Sequence, residues 1–295
     1  MSPLPLFHEW KTDHPRALVH VLHGMSEHGG RYERIARELN GLGITVWAHD
    51  HHGHGLNMGD VKGHFGDANG WRALIDDAWA MSAAMMQQFP GLPLVLFAHS
   101  MGSFIGQTLM AERGASYRAV VLSGTNGPPD AKEAALRAYS GLQRAVLGGR
   151  NPGKWLDSLV IQKTFNRKFA PNRTNADWLS RCETEVDKYI ADPWCNFPLT
   201  AQAWFDFLHG KSVLGDKSLL TQIPTAIPVW IMSGSRDPVG EETHGVQRLL
   251  EAYADVGMTN VRHKFYSDAR HELLNETNRV EVTHDLIAWL KTVLA

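Results

Sequence analysis

Short apolar runs alternate with amphipathic stretches along most of the chain. The runs fall at residues 17–22, 44–48, 94–98, 119–122, 229–232 and 261–266, and are rich in β-branched side chains. Their length suits strands buried on both faces, as in a parallel sheet. Between them, residues 32–42, 71–89, 101–113, 243–256 and 280–294 place apolar side chains three and four positions apart. That spacing gives a helix one buried stripe. Strand and helix in alternation predict an α/β fold, a mostly parallel central sheet with helices on both faces.

The alternation stops between about Asn126 and Pro224. Residues 131–147 and 201–208 read as helices there, joined by segments rich in Gly, Pro and Asn. Residues 126–224 are therefore expected to form a helical cap, or lid, inserted after the sixth strand. Residues 1–125 and 225–295 would form the core. Trp155, Trp178, Trp194 and Trp204 lie in the inserted stretch. They suit either a small core of its own or the wall of an apolar pocket.

Composition narrows the function classes. The chain has 295 residues, enough for a substantial core, and a net charge of -2 with no Lys/Arg block. No nucleic-acid partner is expected. The N-terminal MSPLPLFHEWKTDHPRALV lacks a basic segment followed by an apolar one, so no secretion signal is expected. No apolar run is long enough for a membrane span. Two cysteines, Cys182 and Cys195, read as free thiols in a reducing cytoplasm.

The chemistry-bearing residues sit just after strands. In LVLFAHSMG, residues 94–102, a strand ends in Ala-His-Ser-Met-Gly and a helix follows. A serine on so sharp a turn is held in a strained conformation with its hydroxyl exposed. Its neighbours at Ala98 and Gly102 must be small. Ser100 is thus a candidate nucleophile; a helix-capping serine is the plainer alternative. A nucleophilic serine needs a base, and the base an orienting carboxylate. Asp237, in SGSRDPV after residues 229–232, is a better placed acid than Asp130. His271, in SDARHELLNE, follows the last expected strand, whereas His263 lies within that strand and His284 on the final helix. Asp268 is too near His271 in sequence to approach it from the opposite side. The oxyanion needs two backbone N–H donors. Met101 follows the nucleophile, and Met25 lies in the glycine-rich loop HGMSEHGG, residues 23–30.

Residues 49–55, HDHHGHG, raise a rival chemistry, a metal centre. A dinuclear His-x-His-x-Asp-His order would require His or Asp at residue 53, which is Gly. Neighbouring histidines on an extended loop also point apart. No metal and no other cofactor is expected. The cluster is expected to support the oxyanion loop from beneath, with His54 the leading contact.

The motifs HGMSEHGGRYERIA, AHDHHGHG, FPGLP followed by AHSMG, SGSRDPV and ARHELLNE together resemble the monoacylglycerol lipase and lysophospholipase branch of the α/β-hydrolases, serine aminopeptidase S33-type hydrolases. ETEVDKYIADPW is similar to part of that family's lid. The resemblance implies the α/β-hydrolase fold, with Ser100, Asp237 and His271 as the triad and Met25 and Met101 as oxyanion donors. It implies a substrate's glycerol end near Glu27, His28 and Arg31. Glu27 and Arg31 are expected to bind substrate, and Trp204 and Phe205 of a bulky apolar cluster are expected to line the acyl pocket. The chain departs from the family pattern at Ala98, Ser103 and Asn57, where Gly, Gly and Ser are usual, and its N-terminal edge strands look abbreviated.

The expected activity is hydrolysis of carboxylic esters of monoacyl lipids, monoacylglycerol or lysophospholipid, through an acyl-enzyme. A short-chain carboxylesterase or a thioesterase is the alternative within enzymes, and a hydrolase-fold binding protein the alternative outside them. The expected partners are a small-molecule or lipid ester and, transiently, a membrane surface met by the cap. No obligate protein partner is expected. The expected location is cytoplasmic, peripheral at the membrane.

Overall fold

The computed structural model describes residues 4–295. Seven strands form one sheet: β1 (Phe7–Trp10), β2 (Ala17–Leu22), β3 (Ile44–His49), β4 (Leu94–His99), β5 (Ala119–Ser123), β6 (Val229–Gly234) and β7 (Val261–Tyr266). Their order across the sheet is β1-β3-β2-β4-β5-β6-β7. Among the described residues only β1 runs antiparallel, against β3. The strands read from the sequence are all present. β1 escaped that reading because it is a half-buried edge strand of four residues, with no continuous apolar run.

The side-chain period of two sorts the sheet into two faces. Ala17, Val19 and Val21 of β2 share one cluster with Ile44, Val46, Val95, Phe97 and Val121. Helix α1 (Glu33–Asn40) covers that face, together with the C-terminal helix. Leu18 and Leu22 point to the other face with Leu94, Leu96 and Leu122. Helices α2 (Gly70–Gln88) and α3 (Met101–Arg113) cover it. A two-sided buried sheet needs apolar residues at consecutive positions, which is why these strands read as unbroken runs.

The segment between β5 and β6 holds no named strand. It contains α4 (Ala131–Leu147), α5 (Lys154–Leu156) running into a π-helical stretch (Asp157–Phe165), α6 (Glu183–Ala191), α7 (Ala201–Gly210) and α8 (Lys217–Leu220). The core resumes with β6, continues through α9 (His244–Asp255) and β7, and ends on α10 (Arg279–Val293). Among the described residues the insertion follows the fifth strand, not the sixth as expected. A single antiparallel strand precedes the parallel ones, so each later strand is one place earlier. Trp178 belongs to a small cluster within the insertion, with Leu179, Val186 and Tyr189. Trp204 joins the main core instead.

The chain leaves β2 for β3 on one side and returns to β4 on the other. This reversal opens a crevice at the carboxyl ends of β2 and β4, the usual ligand position in open α/β sheets. Leu22 pairs with Ala98, so the two following loops emerge side by side.

Candidate active site

Ser100 stands between β4 and α3 with φ 52 and ψ -121, a left-handed conformation that costs an L-residue about 1–3 kcal/mol. The turn holds because its neighbours fit. A Cβ on Gly102 would lie 2.4 Å from the Leu22 carbonyl oxygen, so no larger residue is accommodated. The methyl of Ala98 is accommodated by Gly106 on α3, where an added Cβ would come within 2.8 Å of it. Ser103 donates its one hydroxyl hydrogen to the Ser100 carbonyl at 2.6 Å and accepts from the Thr125 hydroxyl at 2.9 Å. The two departures at Ala98 and Ser103 are thus absorbed by α3 itself.

His271 follows β7 and Asp237 follows β6, and both side chains are buried. The His271 Nδ1–H donates to both Asp237 carboxylate oxygens, at 2.9 and 3.0 Å. Val239 N–H fixes that carboxylate at 2.9 Å. The imidazole lies between the rings of His99 and Trp178, with centroids 4.8 and 4.9 Å away. Burial alone would lower the His271 pKa, but the charge of Asp237 and its hydrogen bond outweigh it and raise the pKa. Nε2 is buried and has no hydrogen-bond partner among the described residues. His271 and Ser100 line one cavity of about 680 Å³, together with Met25, Met101, Glu27 and Trp204.

The loop after β2 is fixed by hydrogen bonds on both sides of Met25. Gly24 N–H donates to Glu27 Oε1 at 2.5 Å, and Ser26 N–H to His54 Nε2 at 3.1 Å. No such bond among the described residues engages the Met25 amide. Met101 is the first residue of α3, where backbone amides have no acceptor within the helix. Both amides are therefore available. The insertion grips the same loop, since Ser26 Oγ donates to the Phe197 carbonyl at 2.6 Å.

The HDHHGHG cluster resolves into fixed tautomers. His23 Nε2 accepts the His51 N–H at 3.0 Å, so its proton is on Nδ1 and goes to the Gly24 carbonyl at 2.7 Å. His54 accepts from Ser26 on Nε2 and donates from Nδ1 to the His52 carbonyl at 3.0 Å. His49 bonds His20, and His20 bonds Ser82. Asp50 accepts the Gly29 and Leu56 amides at 2.6 and 2.7 Å. Asn57 bonds the Leu6 backbone in both directions and so ties down the chain entering β1. Burial lowers the His20 and His51 pKa values to about 3 and, with the further causes around it, that of His54 to about 4.

Two donor groups have metal-like spacing: His8, His28 and Asp50, and His28, Asp192 and Cys195. Both depend on His28. Its Nδ1 accepts the Gly30 N–H at 3.2 Å, which leaves the proton on Nε2, donated to Asp192 at 2.9 Å. A protonated ring nitrogen offers no lone pair to an ion, so hydrogen bonding accounts for both groups.

Two expected substrate contacts lie outside the cavity lining. Phe205 occupies the far side of α7, stacked on His209 at 3.9 Å and beneath Arg144 at 3.8 Å. It is one residue from Trp204, and one step along a helix turns a side chain by about 100°. Arg31 is spent on carboxylates. It bonds Glu272 through two nitrogens at 2.7 Å each and Glu27 at 2.6 Å. Against the cost of burial, these two charges push its pKa well up. Burial likewise opposes the Glu272 charge, but Arg31 holds that carboxyl down at about 2. Arg31 therefore joins the loop after β7 to the loop after β2. Glu272 and His99 were not singled out from the sequence. Their positions beside His271 and Ser100 were the available signal.

A family model described as serine aminopeptidase, S33, matches residues 13–278. The chain is 31% identical over 290 residues to the monoglyceride lipase of Homo sapiens, covering 95% of this chain and 84% of that one. It is 27% identical over 300 residues to the monoacylglycerol lipase of Mycolicibacterium smegmatis, covering 95% and 90%. Among solved structures it is similar to a thermostable carboxyl esterase from Bacillus coagulans in complex with glycerol, with TM-score 0.88, 26% identity and coverage of 98% and 94%.

Proposed function

Because this chain belongs to the serine aminopeptidase S33 family of hydrolases, we propose that it hydrolyses carboxylic esters of monoacyl lipids through an acyl-enzyme on Ser100. His271 Nε2 takes the Ser100 proton as the hydroxyl attacks the ester carbonyl. Asp237 holds the ring in that tautomer and stabilises the imidazolium. The Met25 and Met101 amides receive the oxyanion. His271 then protonates the leaving alcohol, and water repeats the sequence on the acyl-enzyme.

The observation that carries this reading is the buried His271 ring. One nitrogen is held by Asp237, the other has no partner among the described residues, and the residue lines the same cavity as Ser100. The substrate class is supported by the two lipase relatives and by an apolar wall that includes Val160, Ile161, Phe165 and Phe207. Glu27 and Trp204 remain the proposed substrate contacts. Ser100→Ala is expected to lower kcat by a factor on the order of 10⁴–10⁶. Near-normal turnover of monoacylglycerol and p-nitrophenyl esters by that variant would sink the assignment. The likeness to the Bacillus coagulans carboxyl esterase favours a second reading, hydrolysis of shorter acyl esters by the same residues.

We read the insertion, residues 126–224, as a cap over the core formed by 1–125 and 225–295. Its outward Leu142 and Val146 on α4 are exposed and support transient contact with a lipid surface. Among the described residues no helix is long and apolar enough to cross a membrane. The free thiols of Cys182 and Cys195 fit a reducing cytoplasm.

A further inference from the structure

Four residues of α7 and its end line the cavity: Trp204, Phe207, Leu208 and Lys211. They are spaced as one helical stripe. Three continue the apolar wall; the fourth puts an ammonium where the stripe would place another apolar group. Lys211 is 6% exposed. Its Nζ donates to Glu133 Oε1 at 2.6 Å and lies 4.5 Å from the centre of the Phe104 ring. Glu133 is in the first turn of α4, and Leu136, one turn further on, lines the same cavity. Helices α4 and α7 pack against each other. Their cavity faces thus change from apolar to charged at the same point. Phe104 is four residues beyond Ser100 on α3, so this point lies about one helical turn along from the nucleophile.

An ammonium carries three N–H donors, and Glu133 is the only hydrogen-bond partner of Lys211 among the described residues. An alkyl chain pressed against Lys211 strips water from the remaining donors and returns nothing, which is unfavourable. A short acyl chain stops before reaching them. From this we infer that Lys211, held by Glu133, is a specificity-determining residue that limits acyl-chain length, favouring short and medium chains. The inference rests on the reading of Ser100 as the nucleophile of an ester hydrolase.

The test is the ratio of kcat/KM for p-nitrophenyl laurate to that for p-nitrophenyl butyrate, in wild type, Lys211→Met and the pair Lys211→Met with Glu133→Leu. Removing both charges avoids stranding Glu133 if the single variant folds poorly. The ratio is expected to rise about tenfold or more in the paired variant, the scale on which apolar pockets discriminate. An unchanged ratio, or loss of both substrates alike, overturns the inference. Ser100→Ala run in parallel separates the two ideas, because butyrate turnover surviving there fails the ester-hydrolase reading itself.

Discussion

Six buried histidines, His20, His23, His49, His51, His54 and His99, stay neutral in the folded protein. Burial, the largest cause in each, lowers every one of their pKa values, to about 3 for His20 and His51 and about 4 for His54 and His99. The unfolded chain takes up protons near the ordinary value of 6.5, and the native state does not. Stability from these residues is therefore complete above about pH 6.5 and is lost as pH falls from there toward 4. Each contributes at most about 1.4 kcal/mol per pH unit in that window. His271 has the opposite sign. Its raised value adds stability below the unfolded pKa that is lost as pH rises through the folded one. One group opposes six, so the urea midpoint is expected to fall steadily between pH 7 and pH 5. A midpoint flat across that range would contradict the neutral histidine network. Arg31 sets a different residue-scale constraint. Removing one member of such a buried ionic cluster typically costs about 3–5 kcal/mol, so its place between Glu27 and Glu272 is structural even where a polar substrate lies near.

At the scale of elements, the strand–turn–helix that presents Ser100 depends on close approach of α3 to β4. Gly106 is an interior helix position, where Ala would ordinarily gain up to about 1 kcal/mol. Here an added Cβ would come within 2.8 Å of the Ala98 methyl. Gly106→Ala is expected to destabilise by about 1–3 kcal/mol, the usual range for overpacking. Combining it with Ala98→Gly should recover most of that loss. A double-mutant cycle by denaturant unfolding measures the coupling, and strictly additive costs would show that the two positions do not meet. Gly102 has no such partner, since backbone atoms of Leu22 and His23 block its Cβ.

At the scale of the whole molecule, the site is a joint product of core and insertion. The core supplies Ser100, Asp237 and His271, the proposed triad, and the Met25 and Met101 amides. The insertion supplies Trp178 against His271, most of the apolar wall, and the Phe197 carbonyl that anchors Ser26. The outer side of α4 exposes Leu142 at 54% and Val146 at 61%, four residues apart and on one helical face. Replacing both with Ser is expected to reduce co-sedimentation with phospholipid vesicles by several fold, while turnover of a dissolved short ester persists. Undiminished vesicle binding would show that this face does not touch lipid.

The sequence by itself determined the six parallel strands, the five core helices and the strand-free insertion, and it offered Ser100, Asp237 and His271 as the candidate triad. These follow from periodicity, from small residues around a sharp turn and from the order of loops after strands, all of which are local. Tertiary structure alone decided which faces and charges meet. Phe205 turns away while Trp204 turns in, because neighbouring residues on a helix point in different directions. Arg31 is committed to Glu272, 241 residues away, and Lys211 reaches Glu133 across two helices. Such pairings depend on burial and approach between distant segments, and no local pattern of residues encodes them.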